Sequence, residues 1–122
     1  MTTRLTLVTG KTAASREAAI AEGFNPRVSS AFILEGLSSG SGKLETLAEA
    51  ADFPLVRVAP ACLCCTGNLT LRVHLNRLLR HPPETLFISI ANDEHIEQLR
   101  SFLTSPPYAN LLSLEPSIQA AE

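Results

Sequence analysis

The sequence is poor in charge: 18% of its 122 residues are Asp, Glu, Lys or Arg, and the net charge is −2. With a pI near 5.9, that balance recommends neither a nucleic acid nor an anionic membrane as partner, since both call for a basic surface. No apolar run approaches the roughly 20 residues a membrane helix needs. Residues 1–10 hold one basic residue and an apolar stretch too short for a secretion signal. The expectation is a cytoplasmic protein. Cysteine is scarce as well: three, an odd number, all within four positions, unlike the even and dispersed set of a secreted disulfide framework. There is no Cys-x-x-Cys, which argues against a thioredoxin-like oxidoreductase. No repeat occurs, and no low-complexity stretch beyond a Ser/Gly loop.

What is present reads as one globular α/β domain. Hydrophobic residues make up 45% of the chain, and the length suffices for a core without staples. Residues 5–8 alternate and favour a strand, stopped by Thr9-Gly10. Residues 13–22 are rich in Ala and Glu, with Ala14, Ala18 and Ala21 at helical spacing, and Gly23 closes the helix. A second strand is expected over 28–34, a flexible Ser/Gly loop over 35–42, and a short helix over 43–51 with Leu44, Leu47 and Ala48 inward. The third strand covers 54–58.

A helix with the stripe Leu71, Leu75, Leu78 and Leu79 follows, ended by Pro82-Pro83. Residues 86–91 are an almost unbroken apolar run, the mark of a central strand buried on both faces. A helix over 93–103 and a strand over 108–114 complete the domain of residues 1–115, and 116–122 read as a flexible tail. Five alternations of strand and helix predict a three-layer αβα fold with a mostly parallel, five-stranded sheet. In such a sheet, ligands bind where the loops leave the carboxyl ends of the strands. Gly10-Lys11-Thr12, the 35–42 loop, the cysteine turn and Asn92-Asp93-Glu94-His95 all belong to that rim.

The cysteines stand in Ala61-Cys62-Leu63-Cys64-Cys65-Thr66-Gly67-Asn68, between the third strand and the third helix. Clustered thiols in a turn suit a metal or a redox chemistry. Buried free cysteine used as a small hydrophobe is the plainer alternative. A helix opening near Asn68 aims its free N–H groups at the turn, which favours the thiolate in either chemistry. Zinc takes four ligands, with sulfur at about 2.3 Å, so three cysteines need completing from elsewhere. His95 shares the rim, with Asp93, Glu94 and Glu35 as oxygen alternatives. His74 lies roughly 9 Å along the helix from the turn, at about 1.5 Å per residue, and reads as a flanking surface histidine. His81 reads as a partner of the helix dipole.

The segment Cys62-Leu63-Cys64-Cys65-Thr66-Gly67-Asn68-Leu69 resembles the CobW-type family of metal-linked GTPases, which carries Cys-x-Cys-Cys between a strand and a helix. Leu7-Val8-Thr9-Gly10 and Gly10-Lys11-Thr12 look like a remnant of that family's first strand and phosphate loop. The resemblance implies a P-loop-NTPase-like fold and a GTP-dependent metallochaperone whose cysteines hold zinc or another thiophilic metal. The chain departs from the family in its nucleotide motifs. A phosphate loop needs Gly-x4-Gly-Lys-Ser/Thr so that backbone N–H groups wrap the phosphates. Five positions before Gly10 stands Leu5, inside the strand; five before Gly42 stands Leu37, and Leu44 follows Lys43 where a hydroxyl is required.

The family's acidic residue and glycine leaving the fourth strand align with Ser89 and Asn92. No Asn/Thr-Lys-x-Asp segment for guanine occurs, and Asp52 and Asp93 are the only aspartates. These departures imply a shortened relative that kept the cysteine turn, with Gly10, Lys11 and Thr12 a nucleotide-site remnant and GTP with Mg²⁺ not expected. The expectation is a non-enzymatic, zinc-binding protein of metal homeostasis. Its partners would be the metal ion, a metal-receiving protein or a second copy of the chain, with neither nucleic acid nor membrane among them. Three rival readings stay open: a thiol switch pairing Cys62 with Cys64 or Cys65, a GTP-binding protein with a non-standard phosphate loop, and a partner-binding α/β module.

Overall fold

A computed structural model describes residues 2–36, 42–58, 69–91, 94 and 96–120. Elements run β1 (Thr3–Thr9), α1 (Ala13–Gly23), β2 (Ser30–Glu35), α2 (Lys43–Ala51), β3 (Leu55–Val58), α3 (Leu69–Leu78), β4 (Thr85–Ile90) and α4 (Ile96–Leu103). A 3₁₀ turn (Tyr108–Asn110), β5 (Leu112–Leu114) and β6 (Ile118–Gln119) follow. The sheet order is β3-β2-β4-β1-β5, with β6 also on β1, and every pairing is parallel.

Alternation along the inner strands divides the core in two. Leu5, Leu7, Ala31, Ile33, Leu86, Ile88 and Ile90 face one side, where Leu71 and Leu75 of α3 and Leu99 and Leu103 of α4 cover them. Val8, Phe32, Leu34 and Phe87 face the other, against Ile20 and Phe24 from α1 and Leu44 and Ala48 from α2. Period-two strands between two helical layers give the three-layer αβα arrangement expected from the sequence. Each large aliphatic or aromatic side chain so buried contributes about 1.5–3 kcal/mol. Right-handed crossovers put α1 and α2 on one face because the chain moves one way from β1 to β3, and α3 and α4 on the other because it then returns. The direction changes between β1 and β4, so their carboxyl ends form the switch point of the sheet.

The strand count is a correction. The described residues form six strands where five were expected, because β6 lies in the segment read as a tail. β5 pairs the first half of β1, Thr3 to Leu5, and leaves Val8 and Thr9 without a neighbour on that side. β6 fills the gap, and the Ala120 amide donates to the Thr9 carbonyl at 2.7 Å. Residues 108–110 are a 3₁₀ turn and not the start of β5. There Tyr108 is buried and its hydroxyl donates to Asn76 Oδ1 of α3 at 2.8 Å. The helix expected over 13–22 is present as α1; its buried residues are Arg16, Glu17 and Ile20, while Ala14 and Ala18 are exposed. Among the described residues, no helix is long and apolar enough to cross a membrane.

Candidate functional site at the carboxyl rim

Gly10, Lys11 and Thr12 make a three-residue connection from β1 to α1. Thr12 caps the helix: its Oγ1 accepts the Ser15 amide at 3.0 Å. Glycine at position 10 answers to a close approach, since a Cβ there would lie 2.9 Å from the Ala120 Cβ and 3.1 Å from Arg16 Cγ. The connection is thus pressed between β6 and the first turn of α1, and Lys11 and Thr12 lie on the surface.

Arg16 is the centre of the rim. It is 2% exposed and reaches from the first turn of α1 across the ends of three strands. Nε donates to Ser89 Oγ of β4 at 2.6 Å. Nη1 donates to the Gly10 carbonyl at 2.8 Å, and Nη2 to the Glu35 carbonyl at the end of β2 at 2.7 Å. Ser89 shares the strand face of Phe87, which lies beneath α1, and so meets the guanidinium. A planar fork of donors can satisfy acceptors on three strands at once, which a lysine ammonium cannot do in the same way. Hydrogen bonds to a charged group contribute about 1.5–3 kcal/mol each. The switch point between β1 and β4 is therefore occupied by a cation belonging to the chain.

Glu35 ends β2 at 0% exposure, and its Oε1 accepts the Ala91 amide at 2.6 Å where β4 ends. In the alternation of β2 its side chain falls with Ala31 and Ile33, on the face that α3 and α4 cover. A second ionic group stands on the opposite face. Arg57 of β3 makes a two-pronged pair with Glu17, at 2.9 and 2.7 Å, and meets Glu45 of α2 at 3.0 Å. The Glu17 hydrogen bond, ahead of the Glu45 contacts, raises the Arg57 pKa above its ordinary value against the opposing effect of burial. This clamp ties β3 to both helices of its layer.

Of the expected site residues, Glu35 is at the rim, and Gly10, Lys11 and Thr12 form the tight β1–α1 connection. Cys62, Cys64, Cys65, Asp93 and His95 lie outside the described residues. Their flanks are placed: β3 ends at Val58 and α3 begins at Leu69. Among the described residues no group of three or more His, Cys, Asp or Glu is gathered as a metal site. His74, expected at the surface, is half-buried, and its Nδ1 is buried with no hydrogen-bond partner. Desolvation, reinforced by the charge of Arg77, holds its imidazole below the ordinary 6.5.

Sequence reasoning missed Arg16, Glu17 and Arg57. An arginine in an alanine-rich helix gives no periodic signal of burial, because alanine suits either face. Arg57 did carry a signal: a lone cation inside Leu-Val-Arg-Val requires a partner wherever the strand is covered. Compared with family models, curated proteins and solved structures, the chain gives no match.

Proposed function

We propose that this chain is a metal-binding protein resembling the CobW-type GTPases, with a P-loop-like fold that has kept the cysteine turn and lost nucleotide hydrolysis. What supports the reading is that Cys62-Leu63-Cys64-Cys65 fall in the sequence between the end of β3 at Val58 and the start of α3 at Leu69, and that Glu35 is buried at the end of β2, paired with Val58. Thiolates with a carboxylate or an imidazole are a donor set that suits zinc. Cys62, Cys64 and Cys65 would hold the ion, with Glu35, Asp93 or His95 completing the set, and the metal is read as cargo in homeostasis or transfer within the cytoplasm.

The loss of the GTPase is supported by what stands in the nucleotide's place. The β1–α1 connection has three residues, too few to wrap a phosphate with backbone N–H groups. Ser89, at the position where the resembled family has a carboxylate, accepts a hydrogen bond from Arg16. A nucleotide would have to displace a buried arginine from acceptors on three strands.

Metal content by mass spectrometry tests the proposal, on protein purified without oxygen or chelator, beside a variant with all three cysteines replaced by serine. About one zinc per chain, or half if two copies share it, lost in the variant, supports the reading. Wild-type protein that carries no metal and takes up neither zinc nor copper(I) on titration ends it.

A further inference from the structure

At the opposite rim, where the strands begin, the structure holds a cavity of about 500 Å³. It opens between the start of β2, the link from α2 to β3, and the last turn of α3. Its inner surface is apolar: Ala31 is buried, and Phe53, Val56 and Leu78 are half-buried. The volume lies within the range of small-molecule sites, which combine an apolar lining with a few placed polar groups.

Two of the lining residues with formal charge come from different walls and are opposite in sign. Asp52 caps α2 with φ +59°, a left-handed position where glycine is the usual residue, and so brings a carboxylate where a cap alone needs none. Arg77 comes from the last turn of α3. Both are exposed. Among the described residues neither side chain makes a hydrogen bond or an ion pair, with the other or with a third group.

The geometry points to a binding site for a small zwitterion with an apolar body, an aromatic amino acid or an apolar dipeptide. Its carboxylate pairs with Arg77, its ammonium with Asp52, and its side chain lies against Phe53, Val56 and Leu78. A ligand with one charge would leave the other wall repelling it or unpaired. The site is independent of the metal reading, since it lies at the opposite end of the sheet from Val58, where β3 ends ahead of the cysteine segment.

The test is a titration followed by amide NMR shifts and calorimetry, with L-phenylalanine and L-leucyl-L-phenylalanine as probes. 3-Phenylpropionate and 2-phenylethylamine serve as analogues lacking the ammonium and the carboxylate. The zwitterions should shift the amides of Ala31 and Leu78 and bind more tightly than either analogue; the tighter of the two tells amino acid from dipeptide. Arg77→Gln and Asp52→Asn should each weaken them roughly two- to fivefold, the range of an exposed ion pair. Both variants keep the fold, because the side chains are exposed and asparagine accepts the left-handed backbone. Val56→Trp, on the edge strand, should fill the cavity and abolish binding. Absence of any shift with the zwitterions at millimolar concentration overturns the assignment. So does equal binding of 3-phenylpropionate and L-phenylalanine, or affinity unchanged in both charge variants.

Discussion

Replacing Arg16 with methionine keeps the length and apolar stem of the side chain but removes the guanidinium from the rim. Three acceptors then lose their donor: the Gly10 and Glu35 carbonyls and Ser89 Oγ. A buried group left unsatisfied costs about 1–3 kcal/mol. The Gly10 carbonyl is only partly buried and can recruit water, so its share is small; Glu35 and Ser89 are at 0% exposure and carry the larger part. The expected loss is about 3–5 kcal/mol, the sum over these acceptors, from a total of about 5–15 kcal/mol for a domain. With a urea slope of about 1–3 kcal/mol per molar, the midpoint should fall by at least about 1 M.

Arg16→Lys keeps the charge but cannot serve three strands together, and should fall between wild type and methionine. Amide exchange supplies a local readout. The Gly36 amide, bonded to the Val58 carbonyl, and the Ala91 amide, bonded to Glu35 Oε1, should lose protection in Arg16→Met before the strand centres do. A methionine variant that loses less than about 1 kcal/mol, with both amides still protected, would refute the view that this arginine holds the rim together.

Three further outcomes are expected. Gly10→Ala places a methyl group 2.9 Å from Ala120, which should cost about 1–3 kcal/mol as overpacking and raise exchange at the Ala120 amide; unchanged stability and exchange would mean the contact is soft. A double-mutant cycle of Glu17→Gln with Arg57→Met should show a coupling of about 0.5–3 kcal/mol, because the pair is two-pronged and largely buried; additive effects would show that the clamp contributes nothing to stability. His74 has a folded pKa below its ordinary 6.5, so the unfolded chain binds its proton more readily. Stability should therefore fall as pH drops from 6.5 toward the lower folded value and be complete above 6.5. His74→Leu should flatten that part of the pH dependence in urea midpoints, without loss of stability at neutral pH; an unaltered slope would assign it to other groups.

Much of the architecture was legible because the strands carry strong local patterns. Residues 86–91 read as a central strand, and β4 lies between β2 and β1. Leu44, Leu47 and Ala48 announced the inward side of α2, and Leu71 and Leu75 that of α3. β6 was not legible: two residues have no period, and Ile118–Gln119 pair only because β5 leaves half of β1 uncovered. Arg16 escaped for a different reason. Its burial follows from the meeting of three strand ends, a tertiary fact to which neither Ala14 nor Ala18 gives a clue. At the site the order is reversed, for the cysteine turn is conspicuous in the sequence, while Glu35 gained its place from the end of β2 and its bond to Ala91.

On the proposed reading, Cys62, Cys64 and Cys65 take a metal and no nucleotide binds at the switch point. The most direct test is a zinc titration of metal-free, reduced protein against a chromogenic chelator, run with and without Mg²⁺ and GTP. One zinc per chain, or one per pair of chains, is expected, with the same affinity whether or not GTP is present. Failure to compete for zinc, or an affinity that appears only with GTP, would contradict it.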